Sequence, residues 1–292
     1  MNTPSLVLVT APALGSGDRP GFVQAEPTTA HIVVAELGLS RGDGFFETIG
    51  VSQGRPLSLE PHLRRFAHSA QLLDIVAPDL DVWRAAALAA IEAHEPEAEL
   101  SAKLVMTRGV AGSEKPTGWV LVERAPDFTA ARTAGVSVVT LDRGVRHDAA
   151  QSAPWLLLGA KTLSYATNMA ALREAGRRGA DDVIFLSSDG YVLEGPTSSV
   201  ILRHGDTVST PATEFGILAG TTQARAFDFF AARDIRTEYA LLEAEKLRTA
   251  DAAWLVSSVR QAAPVHTIDS RELSIDAELT RALNAGLLTA DD

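Results

Sequence analysis

Apolar and polar positions change period several times along the chain, and each change marks an element. Residues 31–37 (HIVVAEL) and 45–51 are rich in β-branched and aromatic residues, which predicts two strands; SQGR then turns the chain towards Leu57-Ser58-Leu59. Pro61 opens a predicted helix in which Leu63, Phe66, Ala67, Ala70 and Leu73 recur at helical spacing. A second helix over residues 82–93 precedes two strand patterns, 101–107 and 119–123. Strands and helices do not alternate as in a doubly wound sheet, so the class is α+β.

The stretch ERAPDFTAARTAG loses strand pattern and gains Pro, Asp and Thr, which predicts a linker over 125–134. It separates a smaller N-terminal domain, 1–124, from a larger C-terminal domain, 135–292. In the second domain, strands are predicted over 136–141, 183–187, 191–193, 199–202, 252–256 and 263–268, with a turn at Ser188-Asp189-Gly190. Helices follow Lys161 in an Ala-rich pattern and run over 221–233. Short strands among scattered helices suggest a barrel-like second domain.

Composition narrows the function classes. Hydrophobic residues at 46% and charged residues at 22% describe a globular chain with ample core material. A formal net charge of −11 argues against nucleic acid and against an anionic membrane surface as partners. The absence of cysteine excludes disulfides, thiolate catalysis and zinc held through sulfur, and fits a reducing cytoplasm. The first residues lack a basic region followed by an unbroken apolar run, so neither a signal peptide nor a membrane anchor is expected. No metal site is expected either, because His62 and His68 are six apart and fall on different helix faces.

Three segments carry candidate chemistry. Lys161, one of only four lysines, stands just after the apolar run Trp155-Leu156-Leu157-Leu158, where a poorly solvated amine would be partly neutral and able to attack a carbonyl. In GILAGTTQARAFDFF a glycine and two threonines, Gly220-Thr221-Thr222, open an amphipathic helix whose N-terminus suits either a simple cap or a phosphate. In DGYVLEGPTSSVI, Glu194 ends a hairpin arm, a place for a surface carboxylate or for one that keeps a heteroaromatic nitrogen protonated. An amine, a phosphate site and such a carboxylate together suit pyridoxal 5'-phosphate (PLP).

In that order along the chain, these motifs resemble the class IV (fold type IV) PLP enzymes: branched-chain and D-amino acid aminotransferases and aminodeoxychorismate lyases. RGDGFFET (41–48) is similar to the family's Gly-x-Gly-x-Phe-Glu-Thr segment, and HLRRF (62–66) to its His-Leu-x-Arg-Leu helix. The resemblance implies a two-domain class IV fold, a homodimer, and Lys161 as the Schiff-base lysine that also moves the substrate proton. It implies Arg65, Ser198, Ser199, Thr221 and Thr222 around the cofactor, Glu194 on its ring nitrogen and Tyr165 within reach of its phenolate oxygen. Thr48 falls on a threonine that assists proton transfer in the lyases and that aminotransferases can carry too. Arg108 matches an arginine that traps a substrate carboxylate in the D-amino acid enzymes, and Arg260 lies in VSSVRQAAPV, which is closer to the lyases' Asn-Ser-Leu-Arg segment than to the aminotransferases' Thr-Gly-Thr-Ala. Ser198-Ser199 stands where many members have Ser-Asn, and Gln223 where many have Arg. The expected activity is aminodeoxychorismate lyase, giving 4-aminobenzoate and pyruvate. The alternative is a D-amino acid or branched-chain aminotransferase. A non-catalytic PLP carrier ranks below both, since a carrier needs no electron sink.

Overall fold

The computed structural model describes residues 3–10 and 21–289. The expectation about the chain's first residues thus falls partly outside the described residues. The chain divides into two compact units. Among the described residues, unit 1 holds those up to Pro126 together with Ala160–Tyr165, and unit 2 holds Asp127–Gly159 and 166–289. Lys161, expected in the C-terminal domain, therefore belongs to unit 1.

Unit 1 is built on a six-stranded sheet of β1 (Ser5–Val9), β2 (Phe22–Ala25), β3 (Gly44–Ser52), β4 (Arg55–Pro56), β5 (Glu99–Thr107) and β6 (Thr117–Arg124), in the order β2-β1-β6-β5-β3-β4. All its pairings are antiparallel. Three helices accompany it: α1 (Leu37–Arg41), α2 (Leu59–Leu72) and α3 (Leu80–Glu92). Helix α3 starts where the Asp79 carboxylate accepts from the N–H groups of Asp81 and Val82, and it buries Trp83, Ala86, Ala87, Ala90 and Ile91. Helix α2 buries Leu63, Phe66 and Ala70 at the expected spacing, but the same face also carries His62 and Ser69. It begins at Leu59, two residues before Pro61.

The strand expected over 31–37 is absent. Only Glu36 pairs, in an isolated bridge to Val110, and the chain then enters α1. Val33 and Val34 are 55% and 89% exposed, so among the described residues these two have little to pack on.

Unit 2 opens with α4 (Thr129–Thr133), inside the stretch expected to be a linker. Its Arg132 donates to the carbonyls of Val259 and Arg260, each at 2.9 Å, so the segment is anchored rather than loose. There follow β7 (Val136–Asp142), α5 (Ala149–Ser152), α6 (Ala166–Arg177), β8 (Asp182–Leu186), β9 (Ser199–His204) and β10 (Thr207–Pro211). The chain continues through α7 (Thr221–Ala231), β11 (Arg236–Ala240), α8 (Glu245–Thr249), β12 (Ala252–Ser257), β13 (Gln261–Ile268), β14 (Arg271–Glu272) and α9 (Ala277–Thr289). The eight strands form one mixed sheet, β11-β10-β9-β12-β13-β7-β8, with β14 on β13. Residues 191–193 make two isolated bridges, Tyr191 to Glu243 and Val192 to Leu186, instead of the expected strand.

Strand alternation sorts the apolar residues of unit 2 into two cores. Val138, Ile184, Val200, Leu202, Leu255 and Val265 pack with Leu242 and Leu247 inside the curled sheet. Ile201, Val208, Trp254 and Val256 face outward against Phe227 and Phe230 of α7 and Leu283 and Leu287 of α9. A third cluster seats Ala171 and Ala175 of α6 on Val183 and Phe185 of β8.

Candidate active site

The RGDG segment is first a backbone device. Helix α1 ends at Gly42, whose φ of 69° lies in the left-handed region, and a Cβ on Gly44 would stand 2.8 Å from the Met106 carbonyl oxygen. Strand β3 can therefore lie close against β5. Along β3, Phe45, Glu47 and Ile49 share one face, and Phe46 and Thr48 the other. Glu47 is fully buried. Its Oε1 accepts from Arg65 Nε and its Oε2 from Arg65 Nη2, each at 2.7 Å. His62 Nδ1 lies 2.7 Å from the same Oε2.

Burial alone would raise the Glu47 carboxyl, but the Arg65 guanidinium and then His62 outweigh it and hold the group well below the usual carboxylate range. Burial pushes His62 down from its ordinary 6.5, and the charges of Arg65 and Lys161 add to that against the pull of Glu47. His62 is thus neutral at pH 7 and donates Nδ1–H to the carboxylate. From sequence alone Glu47 had no role beyond its place in RGDGFFET, and His62 none beyond its place in HLRRF and the dismissal of a metal. The available signal was one carboxylate in the otherwise apolar FFETIGV, which demands a partner.

Lys161 reaches this unit on the six-residue return 160–165. The return pairs with β3: Phe46 N–H donates to the Lys161 carbonyl and Leu163 N–H to that of Gly44, both at 2.9 Å. The Lys161 N–H donates to Ser69 Oγ at 3.3 Å, which explains a polar residue on the buried face of α2. The ammonium lies 4.6 Å from the Phe46 ring centroid and 6.0 Å from that of Tyr165, and the two rings meet edge to face at 5.4 Å. Low polarity around this lysine comes from these rings. The Trp155–Leu158 run does not supply it, since Trp155 and Leu156 are 75% and 45% exposed. Half-buried Thr48 shares the Phe46 face of β3, opposite Lys103 in register.

Unit 2 carries the other group. Glu194 sits where the chain pairs back on β8, with Phe185 N–H donating to its carbonyl at 2.9 Å. Its side chain is half-buried, and Oε2 accepts from Leu218 N–H at 3.0 Å. The segment that leads into α7 is therefore tied to this carboxylate. A tight turn follows, closed by Gly195 N–H donating to the Ser198 carbonyl at 2.8 Å and braced by Asn168 Nδ2 on the Pro196 carbonyl at 2.6 Å. Ser198 Oγ is buried with no partner among the described residues. Ser199 opens β9, and its hydroxyl lies where a Cβ on Gly220 would stand. The N-cap of α7 is Gly220 itself, so no side chain caps the helix, and Thr221 and Thr222 are buried in its first turn. A helix N-terminus without a side-chain cap, with the Ser199 hydroxyl against its Gly220, fits an anionic group such as a phosphate.

Each arginine expected on a substrate carboxylate is held by an aspartate of its own unit. Arg108 grips Asp43 through Nε at 2.7 Å and Nη2 at 3.2 Å, and donates to the carbonyls of Leu73 and Asp74 at 2.7 and 3.0 Å. It ties the end of α2 to the RGDG loop. Arg260 donates through Nη1 to the buried Asp182 at 2.7 Å, and its Nε and Nη2 are buried with no partner among the described residues.

The amino-transferase class IV family model matches residues 44–268. A bifunctional aminodeoxychorismate lyase / D-amino acid transaminase of Mycobacterium tuberculosis is 44% identical over 248 residues, 82% of this chain and 86% of that one. The structure of a fold IV transaminase from Curtobacterium pusillum superposes with a TM-score of 0.94 at 55% identity, covering 98% of this chain and 97% of the other. A hypothetical aminotransferase from M. tuberculosis in its PLP-bound form gives 0.88 at 39% identity, covering 98% and 99%. The chain is an enzyme of the class IV aminotransferase family, the PLP-dependent enzymes of fold type IV.

Proposed function

We propose that this enzyme is an aminodeoxychorismate lyase that releases 4-aminobenzoate and pyruvate, and that it also transaminates D-amino acids. The observation that carries the lyase reading is Thr48, a half-buried hydroxyl on the same face of β3 as Phe46, whose ring holds the Lys161 ammonium. A proton relay between a lysine and a hydroxyl needs both on one side of the sheet. The M. tuberculosis relative named for both activities supports the pairing of lyase and transaminase.

PLP supplies an electron sink for the substrate carbon. Lys161 is the amine that anchors it and afterwards holds the proton taken from substrate, with Thr48 relaying that proton. Arg65 holds the phosphate ester from unit 1. In unit 2 the start of α7, at Thr221 and Thr222, and the hydroxyls of Ser198 and Ser199 suit a phosphate. Glu194 is the partner of the ring nitrogen and Tyr165 that of the phenolate oxygen. Arg108 and Arg260 have no place in this reading. The working form is a homodimer in the cytoplasm that binds neither nucleic acid nor membrane; no helix among the described residues is long and apolar enough to cross one.

The test incubates the protein with aminodeoxychorismate, and separately with D-alanine plus 2-oxoglutarate. Formation of 4-aminobenzoate, reduced about a hundredfold by Thr48→Val while transamination persists, supports the reading. Transamination with no 4-aminobenzoate from the wild type overturns the lyase.

A further inference from the structure

We infer that Glu47 is the positioning residue that aims Arg65, and that it does so at the expense of attraction for the cofactor. The inference rests on the reading of Arg65 as the phosphate-binding arginine. Glu47 takes the Nε–Nη2 edge of the guanidinium side-on, with both bonds at 2.7 Å, so the plane of the group is fixed and Nη1 points away from the carboxylate. His62 supplies the third hydrogen bond at 2.7 Å and holds the carboxylate from the next turn of α2. Its Nδ1 stands 3.4 Å from Arg65 Nη2, a contact between two donors that share one acceptor oxygen. Arg65 and Glu47 are 9% and 0% exposed, so solvent offers the guanidinium little freedom to find another orientation.

The cost of this arrangement is electrostatic. Paired one to one with a buried carboxylate, Arg65 presents little net charge to an anion. A site designed only for attraction would leave Glu47 out. Positioning and attraction therefore predict opposite signs for one substitution. Glu47→Gln removes a negative charge beside Arg65, which strengthens phosphate binding if charge is what matters. The amide also offers the Nε–Nη2 edge one acceptor in place of two, which weakens binding if aim is what matters. Glu47→Asp keeps the charge but draws it back by one methylene, so it weakens binding under the positioning account alone.

The experiment titrates the apoprotein with PLP and with pyridoxal, which lacks the phosphate. Its readout is the ratio of the two affinities, a quantity that general loosening of the fold shifts for both ligands together. We expect Glu47→Gln and Glu47→Asp each to lower the ratio by about ten- to a hundredfold, the worth of one charge-assisted hydrogen bond. Where Glu47→Gln fails to fold, Glu47→Asp alone decides. A ratio unchanged or raised in the variants that fold, while Arg65→Ala lowers it, overturns the inference and leaves the phosphate reading standing. A ratio unchanged in Arg65→Ala overturns the phosphate reading and this inference with it.

Discussion

Removing the carboxylate of Asp182 separates an architectural Arg260 from one that meets substrate. The pair is buried, with side-chain exposures of 12% for Arg260 and 2% for Asp182. Nη1 of the guanidinium has the carboxylate at 2.7 Å, while Nε and Nη2 lack partners among the described residues. Asp182→Ala thus strands a buried cation whose remaining nitrogens find no compensation nearby. Breaking such a pair costs about 3–5 kcal/mol. For a unit of this size that is a fall in Tm of roughly 6–20 °C. Arg260→Met strands Asp182 instead and falls in the same range. The double variant exchanges both charges for apolar atoms and returns to within about 1 kcal/mol of wild type, because the desolvation of two ions is relieved along with their attraction. Thermal or urea unfolding of the four proteins closes the cycle, and the coupling energy is read directly. Steady-state kinetics on the folded variants should show KM within about twofold of wild type. A tenfold rise in KM for Arg260→Met, with less than about 1 kcal/mol lost, would falsify the architectural role and return this arginine to the substrate.

Further outcomes follow from the same geometry. Borohydride reduction of the PLP-loaded protein should fix the pyridoxyl group on Lys161, and peptide mapping that finds it on Lys103, Lys115 or Lys246 refutes the assignment. Glu194→Gln should retain PLP but lose most turnover, since an amide does not stabilise a pyridinium as a carboxylate does; nearly full activity with either substrate pair removes Glu194 from the ring nitrogen. Acid should destabilise the fold in two steps. The His62 pKa lies below its ordinary 6.5 in the folded state, so below about that pH the unfolded chain binds a proton that the native one refuses, and stability falls. Glu47, depressed from 4.5, adds a second loss as pH drops further below that value. Unfolding curves against pH check both steps, and His62→Gln should abolish the upper one.

Where the sequence could be read, it was through periodicity backed by burial. The helix around Leu63, Phe66 and Ala70 and the strands β3, β5, β12 and β13 have apolar faces that tertiary packing covers, so pattern and structure coincide. Residues 31–37 carry the same kind of pattern without a covering surface, and no strand forms. The strands β10 (TVSTP) and β11 (RTEYA) are the converse case. Their composition is polar, β11 lies at the sheet edge, and it is the parallel pairing with β10 that makes it a strand. Nothing local in RTEYA announces that pairing.

The candidate site divides along the same line. Lys161, Glu194 and the start of α7 stand out as candidates because each is chemically unusual in its local sequence: an amine after an apolar run, a carboxylate at a strand end, a glycine before two threonines. The partners of Arg108 and Arg260 were not legible, because a long cationic side chain pairs with whichever carboxylate the fold brings near, and Asp43 and Asp182 lie 65 and 78 residues away in sequence. Glu47 shows how far a stricter reading would have gone. A carboxylate inside a strand whose neighbours are Phe, Thr and Ile is either exposed or paired, and β3 leaves it no exposed face. The partner must then be a cation on whatever covers that face. The following helix offers His62 and Arg65 one turn apart, on the side that also carries Leu63, Phe66 and Ala70. That chain of requirements leads from one misplaced charge to the ion pair, without recourse to any motif. The residues that violate the apolar period are thus the ones whose partners locate the chemistry.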